Sequence, residues 1–155
     1  MQVINQLTNL EILTLPTYLR YFDNKDLLPV SLKEFAIDNV NSTSYCVVYG
    51  VLYTYGGVLV SYPAGKFDEE YTLPNSVTII SKQAFVNTRY LKVIWMNERE
   101  TPPQFVGEDI FANSSVEYIV TPNGESESYA MAAVLTDKKV ETLFVDEDIY
   151  IEDIA

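Results

Sequence analysis

The fold class this sequence predicts is an α/β repeat solenoid: short parallel strands, irregular or short helical returns, and one inserted β-hairpin. Three observations predict it. The first is a recurring pattern of an apolar residue, two others, an apolar residue, one other and a further apolar residue. It reads Leu10-Leu13-Leu15, Leu32-Phe35-Ile37, Leu91-Ile94-Met96 and Val140-Leu143-Val145. Val116-Ile119 fits its first two places with Thr121 at the third, and Tyr71-Leu73-Pro74 repeats the Leu13-Leu15-Pro16 ending. The second is spacing, since the starts at 91, 116 and 140 lie 25 and 24 residues apart. The third is a pair of alternating apolar runs around Gly56-Gly57 that belongs to neither neighbouring unit.

That spacing falls inside the ~20–29 residue period of leucine-rich repeats. A unit of this kind cannot bury its apolar face alone, so it stacks on its neighbours and leaves one long exposed sheet. The whole chain, 1–155, reads as a single such domain, with units starting near residues 7, 28, 70, 90, 115 and 139 and a hairpin insertion at 47–63. At 48% hydrophobic residues it can fill a core.

Taken in order, the first unit gives a strand from Ile12 to Leu15, ended by Pro16, with Leu19 and Phe22 returning to the core. The second places its strand at Lys33 to Ile37. The third has a strand at Tyr71 to Leu73 and a turn at Pro74-Asn75. Val77, Ile80, Ala84 and Phe85 follow at the mixed spacing of an irregular or short helical return. In the fourth, YLKVIWMN leads to Pro102-Pro103, which forbids a regular helix, and the chain returns through Ile110 and Phe111. The fifth, SVEYIVTP, precedes the best helical segment, acidic at its start and apolar at Tyr129, Met131, Ala132 and Leu135. A sixth strand, VETLFVD, precedes an acidic tail.

Between the second and third units, a two-residue turn at Gly56-Gly57 sets Tyr55 opposite Val58, Tyr53 opposite Val60 and Val51 opposite Tyr62. Both faces of this ribbon are too apolar for water, so it is expected to lie against the solenoid as a lateral brace, the competing reading being a second contact edge that accepts a partner's strand.

The run YGVLYTYGGVLVSYPAGK followed by EYTLPNSVTIISKQAF resembles the BspA-like leucine-rich repeat family. The later stretch TPPQFVGEDIFANSSVEYIVTPNGESESYAMA is similar to that family's closing units, with Ile110-Phe111 where a small-aromatic pair is usual. The resemblance runs from residue 7 to about 145. It implies a noncatalytic binding role of the surface or adhesion type and supplies no catalytic residues to carry over.

Composition narrows the partners. With 10 Lys and Arg against 22 Asp and Glu the net charge is -12, which repels nucleic acid and anionic membranes. The one cysteine, Cys46, excludes an intrachain disulfide and reads as a small buried hydrophobe. No apolar stretch approaches the ~20 residues that span a bilayer, and the first residues do not form a secretory signal. Two locations are therefore expected as alternatives. One is the cell surface or exterior, for a fragment of an exported protein; the other is the cytoplasm or a viral particle.

The residues also argue against an enzyme. Histidine is absent, which removes the commonest general base and metal ligand, and a lone cysteine cannot build a zinc site. Neither Gly56-Gly57 nor Gly65-Lys66 sits in a phosphate-cradling pattern. The runs Asp68-Glu69-Glu70 and Asp146-Glu147-Asp148 read as solvated faces, since a glycosidase pair must converge across a cleft. No cofactor and no metal are expected. Asn41-Ser42-Thr43 and Asn113-Ser114-Ser115 match the glycosylation pattern but read as polar turns.

Alternation puts two columns of side chains on the exposed sheet. One is Ile12, Glu34, Glu70, Val93, Tyr118 and Thr142; the other is Thr14, Ala36, Thr72, Trp95, Val120 and Phe144. Val93, Trp95, Tyr118, Val120 and Phe144 should then form an apolar and aromatic patch that binds a protein or glycan partner. The competing reading is a structural subunit of a larger assembly, such as a viral particle or cell-surface appendage. In it, further copies or neighbouring subunits cover the solenoid ends.

Overall fold

The computed structural model describes residues 9–132 and 143–147. Within them the apolar pattern folds as its period dictates. Its first place and two alternating places point inward, so Leu32, Leu91 and Val116 are buried together with Phe35, Ile94 and Ile119. The strands are β1 (Ile12–Thr14), β2 (Glu34–Ala36), β3 (Tyr45–Val48), β4 (Val51–Thr54), β5 (Val58–Ser61) and β6 (Glu70–Leu73). They continue as β7 (Ile79–Ile80), β8 (Val93–Met96), β9 (Gln104–Phe105), β10 (Tyr118–Thr121) and β11 (Phe144–Asp146). The helix α1 (Ser126–Ala132) follows β10.

The fold is a β-solenoid with leucine-rich-type repeats. Its outer face consists of two parallel sheets, β1-β2 and β11-β10-β8-β6. Its return face is the sheet β3-β4-β5-β7-β9, in which β7 and β9 run parallel to β5. The third and fourth returns, read from sequence as irregular or, for the third, short helical, thus carry two-residue strands. A single hydrogen-bonded step suffices to align each return with the one before it. The fifth return is helical as expected. Tyr129 is fully buried on its inner side, while Met131 is 73% exposed and does not join the core.

Repetition is most regular at the corner between faces. Gln83 and Asp109 adopt left-handed backbone angles, as do Asn87 and Asn113. Between them, Phe85 N–H donates to Ile110 C=O at 2.9 Å and Asn87 N–H to Ala112 C=O at 3.0 Å. These bonds hold the Phe85 and Phe111 rings stacked, with centroids 5.4 Å apart and planes 14° from parallel. Asn113 Nδ2 donates to Asn87 Oδ1 at 3.0 Å, so both glycosylation-like triplets sit in turns, the other around the Asp38 bonds to Asn41.

The inserted segment differs from expectation in three ways. It is a three-stranded antiparallel meander, because Tyr49-Gly50 makes a further tight turn between β3 and β4, with both residues at positive φ. The second turn is not two-residue: Gly57 N–H donates to Thr54 C=O at 3.2 Å and only Gly57 has positive φ. This is the three-residue loop with a glycine bulge. It moves the register beside the turn, so Tyr53 faces Leu59 in place of Val60; an irregularity between Leu52 and Tyr53 then restores the expected register, with Leu52 facing Ser61.

The meander is also no lateral brace. Val51, Tyr53 and Leu59 belong to the hydrophobic cluster of the later repeats, while Tyr45, Leu52 and Val60 belong to the cluster of the first two. It is a wall buried on both faces, which explains why both faces are apolar. The starts near 7 and 139, Leu135, Val140, Thr142 and the tail from 148 lie outside the described residues.

Candidate functional site on the outer sheet

The outer sheet gains its side chains from strict alternation along parallel strands. In register, Glu70 lies beside Val93 and Val93 beside Tyr118; Thr72 lies beside Trp95 and Trp95 beside Val120. Each expected column therefore forms in two pieces, one on β6, β8 and β10 and one on the first two strands, where Ile12 pairs with Glu34 and Thr14 with Ala36; β2 and β6 are not paired. Val93, Trp95, Tyr118 and Val120 are brought together as predicted.

Phe144 is not. It pairs with Ile119, an inward residue, and Val145 takes the place beside Val120. Phe144 is buried, edge-on to Phe105 at 5.7 Å, inside the core. The cause lies one residue earlier: Leu143 is helical, so alternation begins at Phe144 and two successive side chains enter the core. Val145, half-buried against Val93 and Val120, is the residue that sequence reasoning missed.

The patch is also less open than expected. Val93 and Val120 are buried, and Trp95 and Tyr118 are half-buried around them. A small aliphatic floor is thus rimmed by two large aromatic side chains. Trp95 Nε1 donates to Glu70 Oε1 at 3.0 Å, which fixes the indole plane across the neighbouring strand. On the first two strands the equivalent surface is bare: Ile12, Thr14 and Glu34 are exposed and no aromatic residue stands among them.

The acidic run before and into β6 does not converge on one point. Asp68 pairs with Lys66 at 3.0 Å, Glu69 with Lys92 at 3.8 Å, and Glu70 with the Trp95 indole. Asp146 Oδ1 accepts from Ser126 N–H at 2.9 Å at the start of α1. Among the described residues there is no group of three or more metal-ligating side chains. No helix among them is long and apolar enough to cross a membrane. Cys46 is half-buried in β3, and burial pushes its thiol up, away from the nucleophilic thiolate.

Two titratable features were invisible in the sequence. Burial holds the phenols of Tyr53, Tyr62 and Tyr71 above their ordinary range, and the Tyr53 and Tyr71 hydroxyls hydrogen-bond to each other. Lys25 is buried, with its ammonium donating to Ser81 Oγ at 2.8 Å and to the Lys82 carbonyl. Burial lowers its pKa to about 8.

No protein-family profile matches the chain, and no curated protein matches it. Solved structures do. The chain is similar to the crystal structure of the pneumococcal vaccine antigen PcpA, with a TM-score of 0.55 and 21% identity over 79% of this chain and 41% of that one. It is similar also to a leucine-rich repeat protein from Eubacterium ventriosum, with a TM-score of 0.53 and 18% identity over 72% of this chain and 36% of that one. The chain therefore spans less than half the length of either. At these identities the likeness establishes the solenoid fold.

Proposed function

We propose that this chain is a noncatalytic interaction module that holds a protein or glycan partner on the outer sheet formed by β6, β8, β10 and β11. The observation that carries this reading is the pairing of Trp95 and Tyr118 over the Val93 and Val120 floor. Aromatic anchors around a desolvated centre are what dominates binding energy in protein interfaces. The surrounding strands present acids and threonines, so the patch stands out from its own sheet. Absence of histidine and the dispersed carboxylates support a binding role over catalysis.

The finer reading is a surface or adhesion module of the BspA-like kind. It rests on the motif resemblance, and the fold shared with a pneumococcal vaccine antigen is in keeping with it.

Trp95 is the only tryptophan, so its emission reports directly on this face. Protein and glycan arrays probed with wild type and with a Trp95→Ala, Tyr118→Ala double variant test the reading. Hits should shift Trp95 emission in solution and weaken by roughly 30-fold or more in the double variant, the ~2 kcal/mol or more expected of interface anchors. Hits that survive the double variant, or a variant that no longer folds, would reject it.

A further inference from the structure

The outer sheet is broken between β2 and β6. β2 pairs with β1 and β6 with β8, but the two do not pair with each other. At one end the turns are in contact, since Gly65 N–H donates to Leu32 C=O at 2.7 Å. Lys66 to Glu69 then loop outward before β6 begins, with Phe67, Asp68 and Glu69 exposed. Phe35 N–H, on the edge of β2 that would serve β6, donates instead to Gly50 C=O at 2.9 Å. The Tyr49-Gly50 turn has taken the place of the missing ladder, and β6 is left as an edge strand.

Which groups that edge presents follows from the ladder. Lys92 and Val93 N–H both donate to Glu69 C=O, and alternate residues of a parallel strand serve alternate edges. Glu70 and Thr72 therefore turn their N–H and C=O groups toward the break, where no backbone partner meets them among the described residues. A cavity lies near each end of this edge. One, of about 340 Å³, is lined by Ile12, Lys33, Glu34 and Phe67. The other, of about 300 Å³ and largely apolar, is lined by Val48, Tyr53, Tyr55 and Pro74.

The charge around the break is negative. Lys33 and Lys66 are already paired with Glu11 at 2.8 Å and Asp68 at 3.0 Å, while Glu34 is exposed and has no ion pair among the described residues. The chain as a whole carries -12.

We infer that the β6 edge is a docking site for an extended segment of a partner protein in which basic and apolar side chains alternate. The segment adds as a strand, exchanging main-chain hydrogen bonds with Glu70 and Thr72, the mode in which backbone supplies affinity and alternate side chains supply specificity. Its basic side chains lie on the outer surface beside Glu34 and Glu70, and its apolar ones face the cavity at Tyr53 and Pro74. This site adjoins the Trp95 patch, since the Trp95 indole donates to Glu70, but it takes its partner at the backbone edge of β6 and not on the aromatic face.

Fluorescence anisotropy with a labelled acetyl-Lys-Val-Lys-Ile-Lys-Val amide tests the assignment. Binding should saturate and slow amide exchange at Glu70 and Thr72. It should weaken by about tenfold or more in Thr72→Pro, which removes an edge donor that β8 does not use. The same loss is expected for a peptide N-methylated at alternate residues, which decides the matter should Thr72→Pro fail to fold. A peptide with Glu in place of Lys should not bind. Absence of binding overturns the proposal. So does equal binding of the Glu peptide, or indifference to both backbone changes.

Discussion

On one side of the β3–β5 meander, Phe85 and Phe111 stack nearly parallel from equivalent corners of successive turns. On the other, Phe22 meets Phe35 edge-on at 87° and the cluster is assembled from unlike positions. The later repeats build their core by iteration: whatever packs well once packs well again at the next turn. The first two units have no such column, so they depend on particular ties to the rest. Lys25 provides three of them, through its ammonium to Ser81 and Lys82 and through its backbone N–H to Gln83 Oε1 at 3.2 Å. Asn87 Nδ2 adds a longer one to Asp26 C=O at 3.4 Å. The contrast teaches that a degenerate repeat can remain in a solenoid when polar bonds replace the missing regularity.

The largest expected effect breaks the iterated side. Phe111 is fully buried between Phe85 and Phe105. Phe111→Ala should cost about 3–5 kcal/mol, the range for truncating a core phenylalanine. Because the meander is packed on both faces, the loss should lower one shared melting transition seen by calorimetry. Two separated transitions would show that the meander insulates the clusters from one another.

A smaller effect probes the tied side. The Lys25 pKa is lowered from 10.5 to about 8 because burial penalises the ammonium. Below pH 8 the group is charged in both folded and unfolded chains and the penalty is present in full. Above 8 the folded chain releases its proton first, so stability should rise with pH toward 10.5, by up to roughly 3 kcal/mol. The phenols of Tyr53, Tyr62 and Tyr71 work in the opposite sense. Unfolded, they ionise near pH 10, while burial keeps them protonated in the fold, so stability should turn down above that value. Denaturation between pH 7 and 11 should therefore show a maximum near 9–10. Lys25→Met should remove the rising limb and keep the falling one; an unchanged rise would show that Lys25 is not its source.

The same contrast explains what the sequence made legible. The later strands and both outward columns were readable because period-2 alternation and near-constant spacing survive without knowledge of contacts. Trp95 and Tyr118 could be placed on one face for that reason. Phe144 could not, since the helical backbone at Leu143 resets the alternation and nothing in VETLFVD marks it. Lys25 was unreadable in a stronger sense. Its partners lie 56 to 58 residues away, and a lysine in NKDLL has the composition of any solvated loop. The meander was half legible: Gly56-Gly57 announced a turn, while Tyr49-Gly50 hid a second one behind a bulky aromatic residue where asparagine is usual.

That hidden turn offers the finest test, because it forms the seam between the two regions. Gly50 has φ 79°, and a Cβ there would stand 2.7 Å from Glu34 Cβ, against the backbone of β2. Gly50→Ala should cost about 1–2 kcal/mol or more, from the left-handed backbone together with the clash. Phe35 N–H should then exchange faster, since its acceptor is Gly50 C=O. Tyr49 also has positive φ, 50°, yet its side chain is 89% exposed and holds nothing in place. Asparagine tolerates that backbone better, so Tyr49→Asn should stabilise by a few tenths to about 1 kcal/mol. The two substitutions, one residue apart, thus move the melting temperature in opposite directions. If Tyr49→Asn lowers it, the tyrosine ring makes a contact that compensates its strain, and the seam owes its order to more than turn geometry.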